Sequence, residues 1–171
     1  MSLRLGDIAP NFTADTTHGM INFYEWMNHQ MTILFSYSAD FSSDCTAELS
    51  WLVQHRAQFE KRNIGLLGLN TGNLVEHQKF ISSIAAACGA ADADFPLISD
   101  KNMRIAKLYG MHHSKALEPS AARSLYIISA DKKILLSWTY PLGVQRNFEE
   151  LLRVIDVLRA QGIDFLREAV A

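Results

Sequence analysis

The stretch Phe35-Ser36-Tyr37-Ser38-Ala39-Asp40-Phe41-Ser42-Ser43-Asp44-Cys45-Thr46-Ala47-Glu48 decides how this chain is read. It starts at the end of a short apolar run, Met31 to Ser36 (MTILFS), whose length suits a buried strand. It then crosses a polar loop and ends where a new period begins. Leu49, Leu52, Val53 and Phe59 recur at helical spacing with polar residues between them, which predicts an amphipathic helix over Cys45 to Lys61. A cysteine therefore opens a helix just after a strand. The first N–H groups of a helix have no partners within it, and the aligned peptide dipoles leave partial positive charge there. That position favours the ionised, nucleophilic form of a thiol.

Working outward, Ile64 to Leu69 (IGLLGL) reads as a second buried strand, Thr71-Gly72-Asn73 as a turn and Leu74 to Ala87 as a helix. Phe95 to Ile98 is a short strand-like piece. Met103 to Tyr109 is a short helix stopped by Gly110, a residue that tolerates positive φ. Arg123 to Ser129 and Lys133 to Tyr140 read as a hairpin turning at Ala130-Asp131-Lys132. A last helix over Asn147 to Arg159 places Phe148, Leu151, Leu152, Ile155 and Leu158 on one face, and Gly162 separates it from an amphipathic tail, Ile163 to Val170. Strands alternating with helices, closed by a hairpin, predict an α/β domain with a mixed central sheet flanked by helices. At 171 residues, the expectation is one domain over 1–171.

Sixteen basic residues against eighteen acidic ones give a formal net charge of -2, so no excess of cations exists to grip a phosphate backbone, and nucleic acid is not an expected partner. The longest apolar run, Ile84 to Ala91, is far short of the roughly 20 residues a membrane span needs. The first residues lack the apolar core of a signal peptide, so a cytoplasmic, reducing location is expected. Two cysteines, Cys45 and Cys88, make neither a CxxC pair nor a zinc site. His112-His113 reads as a solvated loop rather than a metal site, and the scattered His18, His29, His55 and His77 read as exposed. Trp26, Trp51 and Trp138 read as core or interface residues.

The quoted stretch resembles the peroxiredoxin signature, in which a proline, three residues, a threonine, two residues and the peroxide-attacking cysteine follow in order. Here those positions are Ser38, Ser42 and Cys45. Leu5-Gly-Asp-Ile-Ala-Pro-Asn-Phe12 is similar to the family's opening. Asp40-Phe41, Thr46 and Glu48 sit where members often carry the same residues, and Asp131-Lys132-Lys133 and Arg146-Asn147-Phe148 are similar to later blocks of the one-Cys subgroup. The likeness runs from about Leu5 to Leu158. It implies a thioredoxin-like fold and a thiol-dependent peroxidase that reduces hydrogen peroxide or organic hydroperoxides through a sulfenic acid on Cys45. It also implies an external thiol as reductant, a homodimer, and no metal or organic cofactor.

The family's essential arginine matches Arg123, in Pro119-Ser-Ala-Ala-Arg-Ser, and is expected beside Cys45 as a permanently charged fork of donors. Ser42 takes the threonine's place, and Glu48 and Arg146 are expected to hold the network behind it. The departures are local. Ser38 lacks the ring that restricts the loop, Tyr37 stands where one-Cys members often carry histidine, Ala39 replaces a common basic residue, and Asp44 puts a carboxylate beside the thiol. Loss of the ring and addition of the charge also suit a catalytically weak relative, a redox sensor or protein-binding module. Cys88, in an alanine-rich helix end with no later cysteine, is expected to be non-catalytic. One-Cys members usually continue into a C-terminal domain, whereas only Ala160 to Ala171 follow here. Some animal members have a phospholipase activity that uses a histidine and a serine. Tyr24 and Gln30 occupy those positions, so none is expected.

Overall fold

A computed structural model describes residues 2–113 and 121–162. They form a seven-stranded mixed sheet in the order β2-β1-β5-β4-β3-β6-β7. Its elements are β1 (Thr13–Thr16), β2 (Gly19–Asn22), α1 (Phe23–Met27), β3 (Met31–Ser36), α2 (Ser43–Gln54), α3 (Arg56–Glu60), β4 (Ile64–Asn70), α4 (Leu74–Ala87), β5 (Leu97–Ser99), α5 (Arg104–Leu108), β6 (Arg123–Ile128), β7 (Ile134–Tyr140) and α6 (Phe148–Ala160). Strands β3, β4 and β5 are parallel, whereas β6 pairs antiparallel with β3 and β7 with β6.

Period-two alternation sorts each central strand between two hydrophobic layers. Ile33 and Phe35 of β3, Leu66 of β4, and Leu125 and Ile127 of β6 face one layer, which also takes Leu49, Leu52 and Val53 of α2, Phe80, Ile81 and Ile84 of α4, and Phe148, Leu151 and Ile155 of α6. Leu34, Leu67, Leu69, Tyr126 and Ile128 face the other, where Phe23 and Met27 of α1 and Ile105 and Ala106 of α5 complete the packing. Both faces of the centre are buried, so β3, β4 and β6 are apolar nearly throughout. Gly68 of β4 has a packing reason. A Cβ there would lie 2.6 Å from Leu97 Cδ2 and 3.1 Å from Phe35 Cζ.

The expected β3, α4 and hairpin stand where the periodicity put them, and Asn147 caps α6 by accepting from the N–H groups of Glu149 and Glu150. Two readings need correction. The helix expected over Cys45 to Lys61 is two helices, because His55 leaves helical geometry at φ -108 and ψ 13. Its ring stacks on Trp51 at 4.0 Å, and its Nδ1 hydrogen-bonds the Trp51 carbonyl, which also accepts the His55 backbone N–H. The hairpin β1–β2 and helix α1 were not anticipated, since Thr-Ala-Asp-Thr and Gly-Met-Ile-Asn contain no apolar run and α1 is a single turn. The tail expected over Ile163 to Val170, together with Pro119 and Ser120, lies outside the described residues.

Candidate active site

The loop of residues 37–42 leaves the carboxyl end of β3, between β4 and β6, and feeds into α2. In a sheet with parallel central strands this is where ligand sites are built. Ser42 is the N-cap of α2, and its Oγ accepts the Cys45 backbone N–H at 3.3 Å and donates to the Ala39 carbonyl at 3.2 Å. Cys45 sits in the first turn with its sulfur turned inward. Its neighbour Ser38 lies close, with Oγ 3.5 Å from Sγ.

Arg123 is the first residue of β6. Antiparallel pairing of β6 with β3 brings its side chain back to the start of α2, and its Nη2 donates to Cys45 Sγ at 3.8 Å. Behind it lies a buried charge cluster. Arg123 Nη1 donates to Glu48 Oε1 at 3.1 Å and to the Val144 carbonyl at 3.1 Å. Arg146 Nη2 donates to Glu48 Oε2 at 2.7 Å, and the Arg146 backbone N–H donates to Glu48 Oε1, also at 2.7 Å. Arg146 Nη1 bonds the carbonyls of Ser36 and Ser124, the groups freed where β3 and β6 part. The side chains of Glu48, Arg123 and Arg146 are at most 2% exposed, so one carboxylate is shared by two guanidinium groups with little help from water.

The other side of Cys45 is held differently. Tyr37 is fully buried, and its hydroxyl donates to Asp40 Oδ1 at 2.8 Å. Asp40 Oδ2 lies 2.6 Å from His77 Nδ1 of α4. Because a carboxylate only accepts, Nδ1 is the donor of this contact, and among the described residues His77 Nε2 is buried without a partner. Burial, then the charge of Asp40 and its hydrogen bond to the phenol, push the Tyr37 phenol far above its ordinary value. Asn70 Nδ2 donates to the Tyr37 carbonyl at 2.7 Å, and Phe41, at a φ of 61°, packs its ring on Phe80. The expectation that His77 is exposed is therefore corrected. It is buried against the loop because Asp40 supplies a charged partner and Tyr37 and Phe80 supply the walls.

The structure thus brings together Cys45, Arg123, Glu48 and Arg146, and sets Ser38 against the sulfur. Ser42 spends its hydroxyl on the loop and helix backbone. Tyr37, Asp40 and His77 were not assigned site roles from sequence. Asp40 and His77 are 37 positions apart, and no spacing rule joins them. Asp44 does not point away from the site. Its Oδ2 is 3.6 Å from Arg123 Nη2, the nitrogen that donates to the sulfur. Cys45 itself is fully buried, beside loop residues Ser38 and Ser42 that are half-buried. Cys88 lies elsewhere, its thiol against the Ser50 carbonyl at 3.8 Å, and both cysteines are free. No helix of the described residues is long and apolar enough to cross a membrane.

Known proteins resemble this chain in sequence and in fold. The pattern of the AhpC/TSA family matches residues 5–137. The mitochondrial peroxiredoxin of Saccharomyces cerevisiae is 39% identical over 163 residues, which cover 92% of this chain and 62% of that protein. Peroxiredoxin-6 of Rattus norvegicus is 40% identical over 164 residues, covering 92% of this chain and 73% of its own length. The chain therefore spans between three-fifths and three-quarters of these two relatives. A structure of the yeast mitochondrial one-Cys peroxiredoxin, described for its thiol resolving mechanism via glutathione and thioredoxin systems, superposes with a TM-score of 0.87 at 39% identity, covering 94% of this chain and 78% of that one. The chain that carries this cysteine and arginine on a thioredoxin-like sheet belongs to the AhpC/TSA family, on its peroxiredoxin branch beside the one-Cys members.

Proposed function

We propose that the protein is a thiol-dependent peroxidase in which Cys45 reduces hydrogen peroxide or organic hydroperoxides. One observation carries the reading: the guanidinium of Arg123 lies 3.8 Å from a sulfur that sits in the first turn of a capped helix. The cation and the helix end both oppose positive charge and welcome negative charge at that point. The thiolate attacks the terminal oxygen of the hydroperoxide. The S–O bond forms as the O–O bond breaks, Cys45 becomes a sulfenic acid, and the departing oxygen takes a proton and leaves as water or an alcohol. Arg123 is the group placed to donate to the peroxide oxygens, and Glu48 and Arg146 hold it there. An external thiol then condenses with the sulfenic acid, releasing water, and a second thiol frees Cys45 as the reductant's disulfide departs.

Further parts of the reading rest on separate grounds. An external reductant is favoured because Cys88 packs against Ser50 and forms no disulfide with Cys45, and because the yeast relative's resolving thiols come from glutathione and thioredoxin systems. A homodimer is favoured by β7, the edge strand of the described sheet, which pairs at its start, Ile134, with Gly6 and Asp7 and has no proline in its interior to keep a second copy from pairing with the rest. The cytoplasm is the favoured location because the cycle needs a thiol supply.

The test is to add one equivalent of H2O2, trap sulfenate and time the loss of the Cys45 thiol. Fast loss is expected, with no peroxide consumption in Cys45→Ser and full consumption in Cys88→Ser with a monothiol reductant. The complete burial of Cys45 favours a second reading, a non-catalytic relative. A rate no faster than that of a small free thiol selects it. Light scattering of the purified chain tests the dimer.

A further inference from the structure

Asp44 occupies the second position of α2, where a carboxylate suits the helix dipole, but its side chain does more than sit there. It reaches Arg123 Nη2 at 3.6 Å while remaining 39% exposed, and Gln145 Nε2 steers its other oxygen at 3.5 Å. Every other charge in contact with Arg123 is buried, Glu48 at 2%. Among the described residues Asp44 is thus the solvent-facing charge in contact with the arginine that holds the sulfur. Two described segments beside it do not offset it. The loop Tyr37-Ser-Ala-Asp-Phe-Ser-Ser-Asp44 holds two carboxylates and no basic side chain, and the only cation in Pro141 to Asn147 is Arg146, which is already committed to Glu48.

The charge balance follows. Two guanidinium groups face Glu48 and Asp44, so the cluster is neutral before the thiol ionises and carries one excess negative charge afterwards. Without Asp44 the same cluster with an ionised sulfur would be neutral. We propose that Asp44 is a specificity-determining residue that disfavours hydroperoxides carrying their own negative charge near the O–O bond, leaving H2O2 and uncharged alkyl hydroperoxides as the substrate class. This rests on the peroxidase reading above. It concerns which peroxides enter, and the chemistry at the sulfur is unchanged.

The experiment compares kcat/KM for three peroxides on the full chain: H2O2, a short alkyl hydroperoxide bearing a carboxylate, and the methyl ester of that same hydroperoxide. Any effect of Asp44 on the ionisation of Cys45 moves all three alike and cancels in the ester-to-acid ratio. Wild type is expected to prefer the ester about tenfold at low salt, the scale of one partly solvated charge at contact range. Rising ionic strength should raise the rate for the acid alone. Asp44→Asn should bring the ratio close to one, and Asp44→Glu should keep most of the preference. A wild-type ratio near one, a ratio insensitive to salt, or an Asp44→Asn variant that keeps the preference overturns the assignment while leaving the peroxidase reading in place. Failure of wild type to consume any of the three brings down the peroxidase reading and the assignment with it.

Discussion

The two sides of Cys45 are built on different principles. On the sheet side, Arg123, Glu48 and Arg146 come from β6, α2 and the segment before α6. These charges are 75 to 98 residues from their partners and almost free of water. On the loop side, Tyr37, Ser38, Asp40 and Ser42 are close neighbours in sequence, and one distant residue, His77, ties them to α4. The sheet side keeps every residue that the peroxiredoxin resemblance requires. Four of the departures from the family pattern, at Tyr37, Ser38, Ala39 and Ser42, fall on the loop side, and the fifth, Asp44 in the first turn of α2, reaches across to Arg123. Buried charges tolerate no partial change, because removing one partner strands the others. A surface loop has several ways to be held. Here the bond from Tyr37 to Asp40 and the His77 contact restrain the stretch that lacks the proline ring.

The sharpest way to break the contrast is to empty the centre of the charge cluster. Glu48→Ala removes the one buried anion the two guanidinium groups share and leaves only the partly exposed Asp44 in contact with Arg123, and about 3–5 kcal/mol of stability should go. Urea unfolding followed by tryptophan fluorescence measures it. A loss below about 1 kcal/mol would mean that water already compensates the arginines. Next in size is Arg123→Lys. The positive charge stays, but the fork that bonds sulfur, Glu48 and Val144 together is lost. The second-order rate of Cys45 oxidation should fall about a hundredfold, the scale for removing one preorganised donor from a reacting centre. An unchanged rate would show that bulk charge alone suffices.

On the loop side the expected effects are smaller. Tyr37→Phe keeps the buried ring and removes one donor from Asp40, which should cost about 1–3 kcal/mol. It also changes the alkaline limb of the stability curve. The folded phenol holds its proton above the ordinary tyrosine value of 10.0, while the unfolded chain releases it there. Below pH 10.0 the contribution is fully present; above it the unfolded state binds fewer protons and stability falls as pH rises. Each such tyrosine adds about 1.4 kcal/mol per pH unit to the slope, and Tyr109 and Tyr126, also raised by burial, contribute with Tyr37. Tyr37→Phe should remove one tyrosine's share. Denaturation midpoints between pH 9 and 11 test this, and parallel curves for the two proteins would show that Tyr37 ionises in the folded state as readily as in the unfolded one.

The same division explains what could be read before any coordinates. The strands β3, β4 and β6 announce themselves as short apolar runs because both their faces are buried, and the helices α4 and α6 because each has one buried face with a helical period. The strands β1 and β2 do not, because four-residue segments at the margin of the sheet are only partly buried and need few apolar residues. In the site, Cys45 at a helix start was legible from local pattern. The partnership of Arg123, Glu48 and Arg146 was legible only through family resemblance, since strand order rather than spacing brings them together. The bond between His77 and Asp40 had no signal of either kind. Nor does a sequence say which way Asp44 turns, toward solvent or toward Arg123.

Ser42 offers the finest test, because two duties compete for one hydroxyl. In this structure the oxygen accepts the Cys45 N–H and the proton goes to the Ala39 carbonyl, so both capacities serve the backbone. If that is its whole role, Ser42→Ala should cost about 1 kcal/mol, the usual value of an N-cap, and slow Cys45 oxidation by no more than that loosening implies, a few-fold. Ser42→Thr should then be nearly neutral in stability, because threonine also caps, and its restricted χ1 should hold the loop at least as well. A different pattern would assign it a part in the chemistry. A rate loss of tenfold or more in Ser42→Ala, out of proportion to the stability change and restored by Ser42→Thr, would mean that the proton leaves Ala39 for the peroxide when substrate binds. Rapid-mixing kinetics and urea unfolding on the same three proteins separate these cases, and they show whether the loop side of Cys45 only positions the sulfur or also touches the oxygen it attacks.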